Sequence, residues 1–164
     1  MALKEVVIYT DGACLGNPGP GGYGIVLLYG EHRKELSAGF RLTTNNRMEI
    51  LAAVVALEAL KKKCRATLYS DSQYLVNAIQ QGWADRWRAH NWQRNKKEMA
   101  LNPDLWARLL DNIAKHVVEF RWLKGHAGHP ENERCDRLAM AAAQGGNLAL
   151  DLGYERTLPQ RARC

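Results

Sequence analysis

A chain of 164 residues that is 46% hydrophobic and 24% charged has the length and composition of one globular domain, able to bury a core without disulfides or structural metals. No apolar run approaches the roughly 20 residues of a membrane span, and the N-terminus shows no charged leader with a cleavage site, so a cytoplasmic, monomeric protein is expected. The net charge of +6 and pI near 9.3 favour a polyanionic partner, although a basic surface alone would give the same totals.

Residues 3 to 10 alternate and then run apolar through Val6, Val7, Ile8 and Tyr9, predicting a first strand that stops at the Asp11-Gly12 turn. A glycine-rich loop from Gly12 to Gly22 follows, in which turn geometry is favoured over a phosphate cradle because neither the dinucleotide nor the P-loop pattern is present. Tyr23 to Tyr29 and Arg33 to Leu42 read as two further strands joined by a hairpin turn. From Asn46 the apolar positions Met48, Leu51, Ala52, Val55 and Ala59 recur at helical spacing, and the cationic Lys61-Lys62-Lys63 suits the end of that helix.

Thr67 to Ser70 is a short β-like run, and Ser70-Asp71-Ser72 offers caps for a helix carrying Leu75, Val76 and Ile79. Residues 82 to 102 are tryptophan-rich and basic, Asp104 to Ala114 form an amphipathic helix, and Val117 to Leu123 a last strand. A glycine loop leads to Pro130, which opens a helix running to Ala143 and stopping at Gly145-Gly146. Residues 1–145 are expected to form a single domain, and 146–164 a loosely attached tail. The order predicts an α/β fold, a mixed five-stranded sheet with three antiparallel strands and then two parallel ones, with helices on both faces. The cysteines Cys14, Cys64, Cys135 and Cys164 form no C-x-x-C pair and are expected to be free thiols.

In such sheets ligands gather at the C-terminal edge of the parallel strands, and Asp11 and Asp71 are both expected just past a strand end there. Each acid has a plainer reading. Asp11 can be a turn residue, Asp71 a helix cap, Glu49 the partner of Asn46 in a capping box, and Asp136 a surface charge. Glu49 and Asp136, however, border small apolar residues at i+3 and i+4, Ala52 and Ala53 in one case and Ala139 and Met140 in the other. Four acids brought together would repel one another unless a cation lay among them, and all-oxygen ligands favour magnesium or manganese over zinc. Two such ions, about 3.5–4 Å apart, would serve phosphodiester hydrolysis.

Four motifs in order carry a resemblance to bacterial type 1 ribonuclease H over roughly residues 3 to 145: Tyr9-Thr10-Asp11-Gly12-Ala13-Cys14 with Gly16-Asn17-Pro18-Gly19; Thr43-Thr44-Asn45-Asn46-Arg47-Met48-Glu49; Ser70-Asp71-Ser72-Gln73-Tyr74; and the run from Lys124 through His126 to Asp136. The resemblance implies an endonuclease that cuts the RNA strand of RNA·DNA hybrids with two Mg²⁺ ions, Mn²⁺ being a possible substitute, and leaves 5′-phosphate and 3′-hydroxyl ends. It implies that Asp11, Glu49, Asp71 and Asp136 are the metal ligands, and that His126, otherwise a surface loop histidine, assists proton transfer or product departure. Glu133 is open between a catalytic role and an ion pair with Arg137. Cys14, Asn17, Asn46 and Gln73 match substrate-contacting positions beside the metals, and Thr44 a pocket for a DNA-strand phosphate.

Within residues 82 to 102, Arg86, Arg88, Arg94, Lys96 and Lys97 outweigh Asp85 and Glu98, matching the family's basic protrusion, although Glu98-Met99-Ala100-Leu101 is less basic than the family pattern. Arg88, Lys96 and Lys97 are the expected phosphate contacts. Trp83, Trp87 and Trp92 are either a packing seam or base and sugar contacts, with Trp83 the candidate for substrate. Two other readings stay open: a catalytically silent hybrid-binding module, and a DNA-cutting nuclease of the same fold.

Overall fold

The computed structural model describes residues 2–159. The strands are β1 (Lys4–Cys14), β2 (Gly19–Tyr29), β3 (His32–Thr43), β4 (Cys64–Ser70), β5 (Val117–Trp122) and β6 (Leu148–Ala149). They form one sheet in the order β5-β4-β1-β2-β3-β6. The first three pair antiparallel, β4 runs parallel to β1, and β5 runs parallel to β4. The mixed sheet is the expected one with a sixth strand added, because the short β6 pairs parallel with β3 through Gly39 and Phe40.

Among the described residues six helices accompany the sheet: α1 (Asn45–Glu58), α2 (Gln73–Gln80), α3 (Trp83–Ala89), α4 (Pro103–Ile113), α5 (Pro130–Gln144) and α6 (Leu152–Glu155). The first of them is apolar nearly all round, with Met48, Ile50, Ala52, Ala53, Val54, Ala56 and Leu57 fully buried. That pattern follows from its place between the sheet and α4, where a single apolar stripe would leave polar groups unsatisfied. It ends at Glu58, so Lys61-Lys62-Lys63 lie beyond it and do not cap its last turn.

The glycines after residue 12 serve packing more than turning. Only Leu15 to Pro18 leave the strand pairing, and Gly16, at φ +84°, is the residue that needs a left-handed backbone. Gly22, Gly24 and Gly39 are strand residues, and a Cβ on Gly24 would stand 2.2 Å from the Cys135 carbonyl oxygen of α5. Helix α5 therefore lies almost on the backbone of β2 and β3. Gly12 faces the other side of the sheet, where a Cβ would stand 2.5 Å from the Glu49 nitrogen of α1.

Residues 146–159 are docked where a loose tail was expected, because the buried acids Asp151 and Glu155 meet arginine partners. Asp151 accepts hydrogen bonds from Thr43 Oγ1 at 2.7 Å, Arg47 Nε at 2.8 Å and Arg47 Nη2 at 2.9 Å. Arg47 also donates to both oxygens of Asp104, and Glu155 holds Arg41 in a two-bond fork. Gly153 permits this closeness, since a Cβ there would stand 2.1 Å from Asp104 Oδ2. Arg161, Arg163 and Cys164 lie outside the described residues, while Cys14, Cys64 and Cys135 are free.

Removing one carboxylate from this buried network leaves part of the Arg47 charge without its partner. Asp151→Ala should lower stability by about 3 kcal/mol, a fall of roughly 2–4 °C in Tm for each kcal/mol, read by thermal unfolding at neutral pH.

Candidate active site

The parallel pairing of β1 and β4 ends at Tyr9↔Tyr69, and Asp11 and Asp71 each stand two residues beyond that pair. Sheet register alone therefore sets these two acids side by side. Asp71 lies just past its strand, as expected. Asp11 does not: β1 continues to Cys14, and Asp11 is paired with Gly24 of β2. The third acid arrives from α1. Thr44 caps that helix by accepting from Arg47 N at 3.2 Å, and Gly12 lets its first turn close onto β1, which brings Glu49 beside Asp11. Asn46 is thereby exposed rather than part of a capping box.

Oxygen atoms of Asp11, Glu49 and Asp71 lie within 4.8 Å of one another. Asp11 is 4% and Glu49 9% exposed, and among the described residues no cationic side chain bonds to any of the three. Burial first, and then the charge of Asp71, pushes the Asp11 carboxyl up to about 8. Glu49 is raised well above the usual carboxylate range by burial and by the charge of Asp11. Glu49 Oε2 is buried with no hydrogen-bond partner. A buried orphan oxygen among three hard donors, with no internal counter-charge, is what a divalent cation would satisfy. The donor set fits magnesium or manganese.

Asp136 is half-buried on α5 and close enough to raise the Asp11 pKa, yet it falls outside the three-acid group. Gly125 presses against the cluster from the loop after β5, where a Cβ would stand 2.6 Å from Asp71 Oδ2, and Trp122 Nε1 donates to the Asp71 carbonyl at 3.0 Å. His126 is exposed on the same loop, at φ +55°. Sequence reasoning missed Gly125 as a site residue, since a contact with an acid more than fifty positions away leaves no local signal.

Around the acids, Cys14 Sγ donates to the Gly19 and Thr43 carbonyls, and Asn17 Oδ1 accepts from Asn45 N at 3.1 Å, tying the loop before β2 to the start of α1. Gln73 is exposed two residues past Asp71, where α2 begins. A cleft of about 590 Å³ that includes Asn17 is lined also by Thr44, Asn46, Asn102, Asp104 and Tyr154. Asn102 also escaped the sequence reading; it is left-handed at φ +62° and its Oδ1 accepts from Arg47 Nη1.

The tryptophan segment divides between packing and surface. Trp87 is buried, edge-on to Trp106 at 5.9 Å, and Trp83, half-buried, lies 6.4 Å from Trp87. Arg88 is paired with Asp111, and Arg94 with Glu98. Lys96 and Lys97 are exposed beyond them.

A family model described as RNase H matches residues 3–144. The chain is 70% identical over 150 residues to the ribonuclease H of Desulforamulus reducens, covering 92% of this chain and 94% of that one. It is 57% identical over 152 residues to the ribonuclease HI of Synechocystis sp., covering 92% and 95%. Among solved structures, LC9-RNase H1, described as a type 1 RNase H with the type 2 active-site motif, superposes with a TM-score of 0.78 at 30% identity, covering 98% of this chain and 84% of that one. LC11-RNase H1 in complex with RNA/DNA hybrid gives a TM-score of 0.66 at 26% identity, covering 84% and 96%.

The acids' raised pKa values make the metal-free site a source of instability. The folded state holds protons that the unfolded chain releases near the ordinary carboxylate value, so the stability associated with Asp11 is present in acid and is lost as pH rises from about 4 to about 8. In chelator, Asp11→Asn should therefore raise Tm at pH 8 by several degrees, and the gain should vanish toward pH 4. Magnesium at pH 8 should raise the parent's Tm and move the variant's much less. Equal Tm values for parent and variant across this range would contradict the electrostatic account.

Proposed function

The chain belongs to the RNase H family and to its bacterial type 1 branch, and on that premise we propose that it hydrolyses the RNA strand of RNA·DNA hybrids endonucleolytically. The observation that carries this reading is the group of buried Asp11 and Glu49 with half-buried Asp71, gathered by sheet register and helix packing with no cationic side chain bonded to it among the described residues. The hybrid-bound relative supports the choice of substrate.

Asp11, Glu49, Asp71 and Asp136 would hold two magnesium ions, with manganese an acceptable substitute. Once bound, the pair would supply a nucleophilic water on one side of the phosphodiester and charge stabilisation on the other, leaving 5′-phosphate and 3′-hydroxyl ends. The chain's own groups position the substrate around that centre. Gly12 N donates to Asp11 Oδ1 at 2.9 Å and so fixes which way that carboxylate faces. Gly125 keeps the loop close to Asp71, and His126, the next residue on that exposed turn, would carry a proton or help product leave.

Cys14, Asn17, Asn46 and Gln73 serve recognition of the RNA strand and its 2′-hydroxyls. With Asn17 Oδ1 engaged by Asn45 N, its amide NH₂ remains as a donor. Thr44 lines the cleft assigned to a phosphate of the DNA strand. Trp83, Arg88, Lys96 and Lys97 extend the contact along the basic protrusion. The Arg88–Asp111 pair is exposed on both sides and is worth about 0–1 kcal/mol, so it exchanges readily for phosphate. We place the active protein in the cytoplasm as a monomer; among the described residues no helix is long and apolar enough to cross a membrane.

Labelled RNA·DNA hybrid, RNA duplex and DNA duplex, each with and without magnesium, test the reading directly. Cleavage is expected of the hybrid's RNA strand alone, only with metal, and Asp11→Asn should reduce it by at least about 10³-fold. Hybrid binding without cleavage would favour a silent module, and cleavage of DNA duplex a DNA nuclease of the same fold. Lys97→Ala should raise KM a few-fold and leave kcat unchanged, because a phosphate contact of this kind chiefly positions the substrate; a pure kcat defect would refute that role.

A further inference from the structure

The loop 124–129, which carries Gly125 and His126, is pinned at its near end. Leu123 N donates to the Ser70 carbonyl at 3.0 Å and Trp122 Nε1 to the Asp71 carbonyl at 3.0 Å, so the chain entering the loop is held against the strand that leads to Asp71. Its far end is the first turn of α5, and that turn lacks a side-chain cap. His129 stands at the N-cap position without a side-chain hydrogen bond, and Pro130 follows it. The glycine contacts that draw α5 onto the sheet involve Cys135, Leu138, Ala139, Ala142 and Ala143, all beyond the first turn. Asn132 of that turn is buried, which leaves Glu131 and Arg134 to hold its outer side.

They do so through a chain of four alternating charges. Arg33 of β3 meets Glu131 in a fork, Nη2 to Oε1 at 2.7 Å and Nε to Oε2 at 3.1 Å. Arg33 Nη1 also donates to Glu35 Oε2 at 2.7 Å, and Glu35 accepts a second fork from Arg134 at 2.7 and 2.8 Å. Arg33 and Glu35, two apart on a strand, share a face, as do Glu131 and Arg134, three apart on a helix. A single exposed ion pair contributes little, whereas two planar forks with shared members fix a geometry. Arg134, and then Arg33, hold the Glu35 carboxyl down to about 2, so the network stays charged at neutral pH.

We propose that Arg33 and Glu35 are positioning residues for the reaction: through Glu131 and Arg134 they clamp the far end of the loop and so hold His126 beside Asp71. The proposal rests on the role given above to His126 and adds the element that keeps it in place. Arg33 touches none of the groups assigned to the substrate, so its contribution passes through the loop.

Hydrogen exchange in the absence of substrate gives the first test. In Arg33→Ala the amides of 126–134 should exchange about 3–10-fold faster than in the parent, and those of 136–143 at the parent's rate. In steady-state cleavage of hybrid with magnesium, Arg33→Ala should lower kcat about 3–10-fold, less than the roughly 100-fold that a misplacement of about 1 Å can cause, and leave KM unchanged. Arg33→Lys keeps the charge without the fork and should recover part of the loss. Glu131→Gln loosens the same fork from the helix side and should reproduce both effects. In a His126→Ala background, Arg33→Ala should have no further effect on kcat. Unchanged exchange in the first turn, a kcat loss that adds in full to that of His126→Ala, or a rise in KM alone overturns the proposal. A parent that leaves the hybrid uncut defeats the nuclease reading, and the exchange comparison then decides whether the clamp holds the loop. A parent that cuts while both variants match it in kcat defeats the clamp alone.

Discussion

Mutual repulsion among buried carboxylates is the constraint around which this protein is organised. Asp11, Glu49 and Asp71 would separate if their backbones allowed it, and three different features prevent this. Parallel register places Asp11 and Asp71 at equal distance past Tyr9↔Tyr69, the missing side chain at Gly12 admits α1, and the missing side chain at Gly125 admits the loop that carries His126. The backbone here is stiffened by interior packing, so the repulsion is answered by carboxyls that hold their protons to higher pH instead of by movement. An unfavourable arrangement of this kind is the cost of a preorganised site, and the binding of a cation relieves it.

The same logic explains the glycines. Helix α5 lies so close to β2 and β3 because Gly22, Gly24 and Gly39 present no Cβ to it, and that closeness fixes the depth at which Asp136 approaches Asp11. Position 24 alone couples two roles, since Gly24 is also the strand partner of Asp11.

Much of the site was legible in the sequence, for reasons that differ from residue to residue. Asp71 stood out because a strand ending and a helix beginning leave strong local signals on both sides, the apolar run through Leu68 and the Ser72 cap. Asp11 was recognisable as a candidate but misplaced, because Asp-Gly reads as a turn whereas Gly12 and its neighbours continue as strand beside β2. The glycine cluster was misread for the same reason: absence of a side chain looks alike whether it serves a turn or a close contact. The docked segment after residue 145 gave no periodic signal, since a two-residue strand and one turn of helix are too short to show one; its order comes from Asp151 and Glu155 meeting Arg47 and Arg41, pairs more than a hundred positions apart. Asn102 and Gly125 belong to that class too, being defined by neighbours that only the folded chain supplies.

The two ends of the described chain are therefore not equivalent as points of attachment. Lys4, where β1 begins, is seven strand residues from Asp11, or about 23 Å along the strand. The other end runs through Asp151 and Tyr154 into the wall of the cleft. Tethering to a surface, a fluorophore or a second domain through the start of β1 would leave the carboxylates and the cleft accessible, whereas a joint made near residue 150 would pull on Arg47 and, through it, on the first turn of α1. The geometry thus gives the molecule a front and a handle, and the handle is the N-terminal strand.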